Sequence, residues 1–106
     1  MRKRVEARTT LLDLVARVIA TGATTMEVEY RDGWEDILAV DSLFGVGIAR
    51  LDSKSEEARS LRKDLCSIAR KRQIVDVSGC ARVLRVRIVE DFGEDKYILT
   101  IERHPP

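Results

Sequence analysis

The sequence predicts an α+β domain: a mainly antiparallel sheet of four to five strands with two helices packed on one face. Two apolar stripes at helical spacing, each near a capping signal, supply the helices. Runs of alternating polarity, joined by short glycine-containing turns, supply the strands. The resulting order, α-β-β-(β)-α-β-β, places hairpins between helices, which favours an antiparallel sheet with segregated helices.

The first helix is expected from Thr10, where Thr10 and Asp13 can cap and Leu11, Leu14, Val15, Val18 and Ile19 form one stripe. Gly22 supplies its stop. Residues 1–8 alternate basic and acidic groups with little apolar content and read as a mobile basic arm, leaving residues 9–106 as one domain. Residues 26–30 then alternate, with Met26, Val28 and Tyr30 on one face and Glu27 and Glu29 on the other. Asp32-Gly33 is a two-residue hairpin signature, so residues 34–40 should return antiparallel.

Residues 45–51 read either as a third strand, weakened by Gly45 and Gly47, or as a stretch in which a bulge or short helix takes the place of part of that strand. Ser53 and Glu56 have the spacing of a capping box, and Ala58, Leu61, Leu65, Ile68, Ala69 and Arg72 follow as a helical stripe. Residues 82–89 and 96–102 bracket a polar turn at 90–95 and form a closing hairpin.

Composition limits the function classes. One hundred and six residues suit one domain, and 44% apolar with 35% charged residues describe a folding chain with a charged exterior. A formal net charge of +1 provides no whole-molecule attraction to nucleic acid or anionic lipid. No apolar run approaches the length of a membrane span, and Glu6, Arg8 and Asp13 interrupt any signal-peptide core after the basic start. Cys66 and Cys80 lack metal-ligand or redox-motif spacing and suit a reducing compartment as small buried or half-buried groups, so the expected location is the cytoplasm.

Catalytic chemistry finds little to work with. The single imidazole, His104, stands beside two terminal prolines, so no triad is expected, and two scattered thiols do not make a zinc set. Neither a metal nor an organic cofactor is called for. Gly45 and Gly47 could expose backbone N–H groups to a phosphate, yet no GxGxxG or Gly-Lys-Ser/Thr accompanies them, and a bulge explains them better. Glu27 and Glu29, about 7 Å apart on one strand face, have a spacing that could serve an acid–base pair. Arg85 and Arg87 carry the same spacing on a later strand; if the two strands are neighbours, cross-strand ion pairs account for all four. The basic residues of the second helix, including Arg59, Arg62 and Lys63, are diluted by Glu56, Glu57 and Asp64. The few aromatics offer no stacking platform for bases, so nucleic acid is not the expected partner.

Gly22-Ala23-Thr24-Thr25 leading into Met26-Glu27-Val28-Glu29, then Arg70-Lys71-Arg72, Gly79, Arg85-Val86-Arg87, Gly93-Glu94 and a last strand at 97–101, keep a recognisable order. In that order the chain resembles the small amino-terminal domain that precedes the motor in type II secretion and type IV pilus ATPases, over about residues 11–103. It differs in Thr25 and Glu27, where the family has Asp and His, and in Thr100, where the family has arginine. The resemblance implies a PAS-like mixed fold that packs against motor domains in a ring and can direct arginines, here Arg85 and Arg87, towards a nucleotide. These 106 residues contain no Walker A loop, so no ATP hydrolysis is expected of them, and the chain is read as a non-enzyme. The leading expectation is an adaptor or interaction module that binds another protein or itself, with Arg85, Arg87, Glu27 and Glu29 as candidate contacts. The alternative is a nucleotide- or anion-sensing domain using Arg85 and Arg87.

Overall fold

A computed structural model describes residues 2–42 and 44–104, with the side chains of residues 2–9 and 91 outside the description. Two helices and six strands follow in the order α1 (Arg2–Ala20), β1 (Thr25–Arg31), β2 (Trp34–Val40), β3 (Gly45–Asp52), α2 (Glu56–Arg70), β4 (Gln73–Val77), β5 (Cys80–Asp91) and β6 (Glu94–Arg103). The strands form one antiparallel sheet ordered β3-β2-β1-β6-β5-β4. The α+β class is as expected, but the sheet has six strands rather than four or five.

The additional strand is β4. Its apolar Val75 and Val77 face the core, and Ser78-Gly79 turns it directly into β5. Tight turns at Asp32-Gly33, Ser78-Gly79 and Phe92-Gly93 all place both central residues at positive φ, between 50° and 89°. That geometry matches the twist of a two-residue hairpin, and it holds the long β5–β6 pairing in register from Asp91↔Glu94 to Arg82↔Arg103.

Both helices cover the same sheet face, where one core joins Leu11, Val15 and Val18 of α1 and Leu61, Leu65 and Ile68 of α2 to Met26, Val28, Ile37, Leu84 and Leu99 of the sheet. Each of these sheet residues is at most 3% exposed, and alternation along the strands sends their neighbours to the opposite face. The backbone of α1 is helical from Arg2, upstream of the Thr10 start; lysine, arginine, glutamate and alanine are good helix formers, and no glycine or proline interrupts residues 2–9.

The cap of α2 is Ser55, whose hydroxyl accepts from the Ala58 N–H at 3.1 Å, rather than Ser53 of the expected capping box. Ala69 is exposed and Arg72 lies past the helix end, so the buried stripe comprises Ala58, Leu61, Leu65 and Ile68. The third strand exists, and its register with β2 shifts so that Ile48 has no cross-strand partner. Arg17 of α1 donates to the Ile48 carbonyl at 3.3 Å and so occupies a backbone acceptor of the bulge.

Candidate functional site

The sheet face opposite the helices gathers most of the residues singled out from the sequence. On β1 it presents Glu27, Glu29 and Arg31; on β2, Trp34, Asp36 and Leu38; on β6, Lys96, Ile98 and Thr100; and on β5, Arg85, Arg87 and Val89. The strand order settles the conditional pairing of the glutamates with the arginines. β6 lies between β1 and β5, so Arg85 and Arg87 stand two strands away from β1, opposite Thr100 and Ile98.

The partner of both glutamates is Lys96. Its ammonium sits 3.0 Å from Glu27 Oε1 and 3.1 Å from Glu29 Oε2, bridging two like charges that would otherwise repel. From Glu29 the charges continue across the sheet: Arg31 lies 3.2 Å from Glu29 and 3.8 Å from Asp36, and Arg50 Nε donates to Asp36 Oδ1 at 2.6 Å. The Arg50 guanidinium then rests 5.5 Å from the centroid of the Trp34 ring. Charge therefore alternates in sign across four strands, from β6 to β3.

The protonation equilibria follow this geometry. Partial burial pushes the Glu29 carboxyl up, but hydrogen bonds from Lys96 and Arg31, with their charges, outweigh it and leave Glu29 below its ordinary value. Hydrogen bonds to Glu27 and Glu29 raise Lys96, and the hydrogen bond from Arg50 lowers Asp36. Glu29, Asp36 and Lys96 are thus held in their charged forms at neutral pH. A carboxylate pair bridged by one ammonium on an open face is poorly suited to exchange protons as an acid–base couple.

Arg85 pairs loosely with Glu102 at 3.3 Å, each about half exposed. Arg87 is exposed and forms no ion pair among the described residues. Gly45 and Gly47 belong to the β2–β3 ladder, opposite Val40 and Leu38, and α2 starts only at Glu56, so they are not a loop opening onto a helix N-terminus. Cys66 is half-buried on α2, whereas Cys80, expected to be at least half-buried, is exposed beside the β4–β5 turn. Among the described residues, no group of three or more His, Cys, Asp or Glu could hold a metal ion, and no helix is long and apolar enough to cross a membrane.

Two features were not read from the sequence. On the helix side, Glu35 of β2 is 3% exposed and accepts from Arg62 of α2 at 2.8 Å and from the Ser53 hydroxyl at 3.0 Å, while Arg62 also donates to the Ser53 carbonyl at 3.0 Å. This network joins a strand, a helix and the loop between β3 and α2. Nearby, the Tyr97 hydroxyl lies 4.0 Å from the Cys66 sulfur, and burial together with the Cys66 thiol and Asp95 pushes it up to about 12.

The second feature is a cleft at the sheet rim. β1–β6 pairing stops at Glu29↔Lys96, although β1 continues to Arg31 and β6 begins at Glu94. Between the adjoining hairpin tips lies a cavity of about 340 Å³, and another of about 290 Å³ opens beside Glu35, Ser53 and Arg62; Tyr30, Glu94 and Asp95 line both.

No protein-family model matches this chain, and no curated protein matches it.

Proposed function

We propose that the chain is a protein-interaction module that uses the helix-free face of its sheet, in keeping with the resemblance to the amino-terminal domain of secretion ATPases. The observation that carries this reading is the matched surface of that face. Its carboxylates and cations neutralise one another between strands, and half-buried Leu38, Ile98 and Val89 lie among them. Such a surface combines apolar area with satisfied polar groups, as contact surfaces do. Arg85 and Arg87 flank this area and supply charge for orienting a partner.

The test combines light-scattering measurement of self-association with affinity capture using the purified chain as bait, repeated for Leu38→Asp and for the double substitution Arg85→Ala/Arg87→Ala. The expected result is association that Leu38→Asp abolishes and the arginine pair weakens. Association that none of these substitutions changes refutes the assignment to this face.

The exposed guanidinium of Arg87, together with Arg85 one strand repeat away, also supports a second reading, a nucleotide- or anion-sensing domain. In that case calorimetric titration with ATP shows binding that both arginine substitutions weaken, and absence of heat up to about 1 mM ligand, a Kd too weak for a sensor, refutes it.

A further inference from the structure

The rim cleft combines three kinds of group. Tyr30 is 39% exposed and Phe92, at the β5–β6 tip, is 98% exposed, so aromatic surface lies open on its walls. Asp32, Glu94 and Asp95 also line it and form no ion pair among the described residues, although Asp32 adds to the field that raises Arg50. The cations that line it already have partners: Lys96 with Glu27 and Glu29, and Arg31 with Glu29 and Asp36. The unmatched charge there is therefore negative.

Phe92 is not needed by the turn it occupies. A residue at φ 54° in a two-residue hairpin is better served by asparagine, aspartate or glycine, and a bulky side chain there is strained. Its ring also contributes nothing to the core. Carboxylates beside open aromatic faces favour a cation that is planar or carried on an apolar stem, which can stack on a ring while donating to oxygen.

We propose that this cleft receives an arginine or lysine side chain from a basic segment of a partner protein. The occupant follows from charge complementarity: the aromatic faces take the methylene stem and the face of the cation, and Glu94 and Asp95 take its N–H groups. The proposal rests on the interaction-module reading and adds the chemistry of the partner. A side chain inserted at the rim would leave the partner's backbone free to run onto the adjoining open face, since Glu29, Arg31 and Lys96 belong to both.

The test is an NMR titration of the full labelled chain with an acetylated Ala-Ala-Arg-Ala-Ala amide, and with the same peptide carrying uncharged citrulline in place of arginine. The expected result is saturable movement of the Tyr30, Asp32, Phe92 and Asp95 amides with the arginine peptide and at least tenfold weaker binding of the citrulline peptide. The double substitution Glu94→Gln/Asp95→Asn should also weaken binding about tenfold, as loss of charge-assisted hydrogen bonds would. Phe92→Gly should weaken binding while raising Tm, a combination that a purely structural role for Phe92 does not produce. No saturable shift at these amides up to about 10 mM peptide, equal binding of the citrulline peptide, or shifts centred elsewhere would each overturn the proposal. If the peptide fails here while Leu38→Asp still abolishes association, the cleft assignment falls and the contact-module reading stands; the opposite pattern removes the reading itself.

Discussion

Replacing Arg62 with methionine tests whether the network around Glu35 fastens α2 to the sheet. The Glu35 side chain is 5% exposed and that of Arg62 is 29% exposed, with 2.8 Å between Nη1 and Oε2. Removing the guanidinium strands a carboxylate whose remaining hydrogen bond comes from the Ser53 hydroxyl. Breaking a fully buried pair typically costs about 3–5 kcal/mol, and the partial exposure of Arg62 lets water recover some of it, so about 2–3 kcal/mol is expected. For a 106-residue domain whose total stability is about 5–15 kcal/mol, this lowers Tm by roughly 10–20 °C. Urea and thermal unfolding of Arg62→Met, Glu35→Leu and the double variant form a cycle. The double variant should lose less than the sum of the single variants, by about 2 kcal/mol, because it removes the stranded charge along with its partner. A single-variant loss below about 0.5 kcal/mol, or strict additivity, would refute the view that this pair fastens the helix.

Lys96→Met should destabilise by about 1 kcal/mol at pH 7 by leaving Glu27 and Glu29 facing each other, and acidification below the ordinary carboxylate range should erase the difference. The native chain should show the matching pH limits in urea titrations. Glu29 is lowered when folded, so its contribution is present above 4.5 and is lost as pH falls through its folded value; Lys96 is raised, so its contribution is present below 10.5 and is lost as pH rises through its folded value. Leu65→Ala, at a fully buried position between helix and sheet, should cost about 2–5 kcal/mol in denaturant unfolding without changing the far-ultraviolet spectrum of the folded state. Gly33→Ala, at φ 89° with open space around the added carbon, should cost about 1–2 kcal/mol through backbone strain alone, measured as a fall in Tm.

The elements that periodicity and turn chemistry specify were legible in the sequence. Met26 and Val28 alternate cleanly because β1 buries one face, and Asp32-Gly33 marks its turn because few residue pairs accept two positive φ angles. β4 was missed for a physical reason: Arg70-Lys71-Arg72 extends the basic pattern of α2 past its end, and a five-residue strand has room for just two buried side chains, Val75 and Val77. Its signal was Ser78-Gly79, which forms the same kind of turn.

The candidate site was legible by face but not by partner. Glu27, Glu29, Arg85 and Arg87 do share one face, yet spacing along a strand does not say which strand lies beside it. The bridging charge proved to be Lys96, on the strand between them. The rim cleft was hidden for the same reason, since it exists because the Asp32-Gly33 and Phe92-Gly93 tips, about sixty positions apart in the chain, end side by side.

The strand order has a further consequence for assembly of the molecule. Of the five strand pairings, four join elements adjacent in the chain, and β1 with β6 alone joins the halves α1–β3 and α2–β6 of the sheet. Each half is a helix followed by a three-stranded meander, which can form through short loop closures, whereas the central seam requires strands about seventy positions apart in the chain to meet. A chain cut at Lys54, in the turn between the halves, should therefore still reassemble from its two fragments. At high concentration, the same seam gives two intact copies a way to exchange halves.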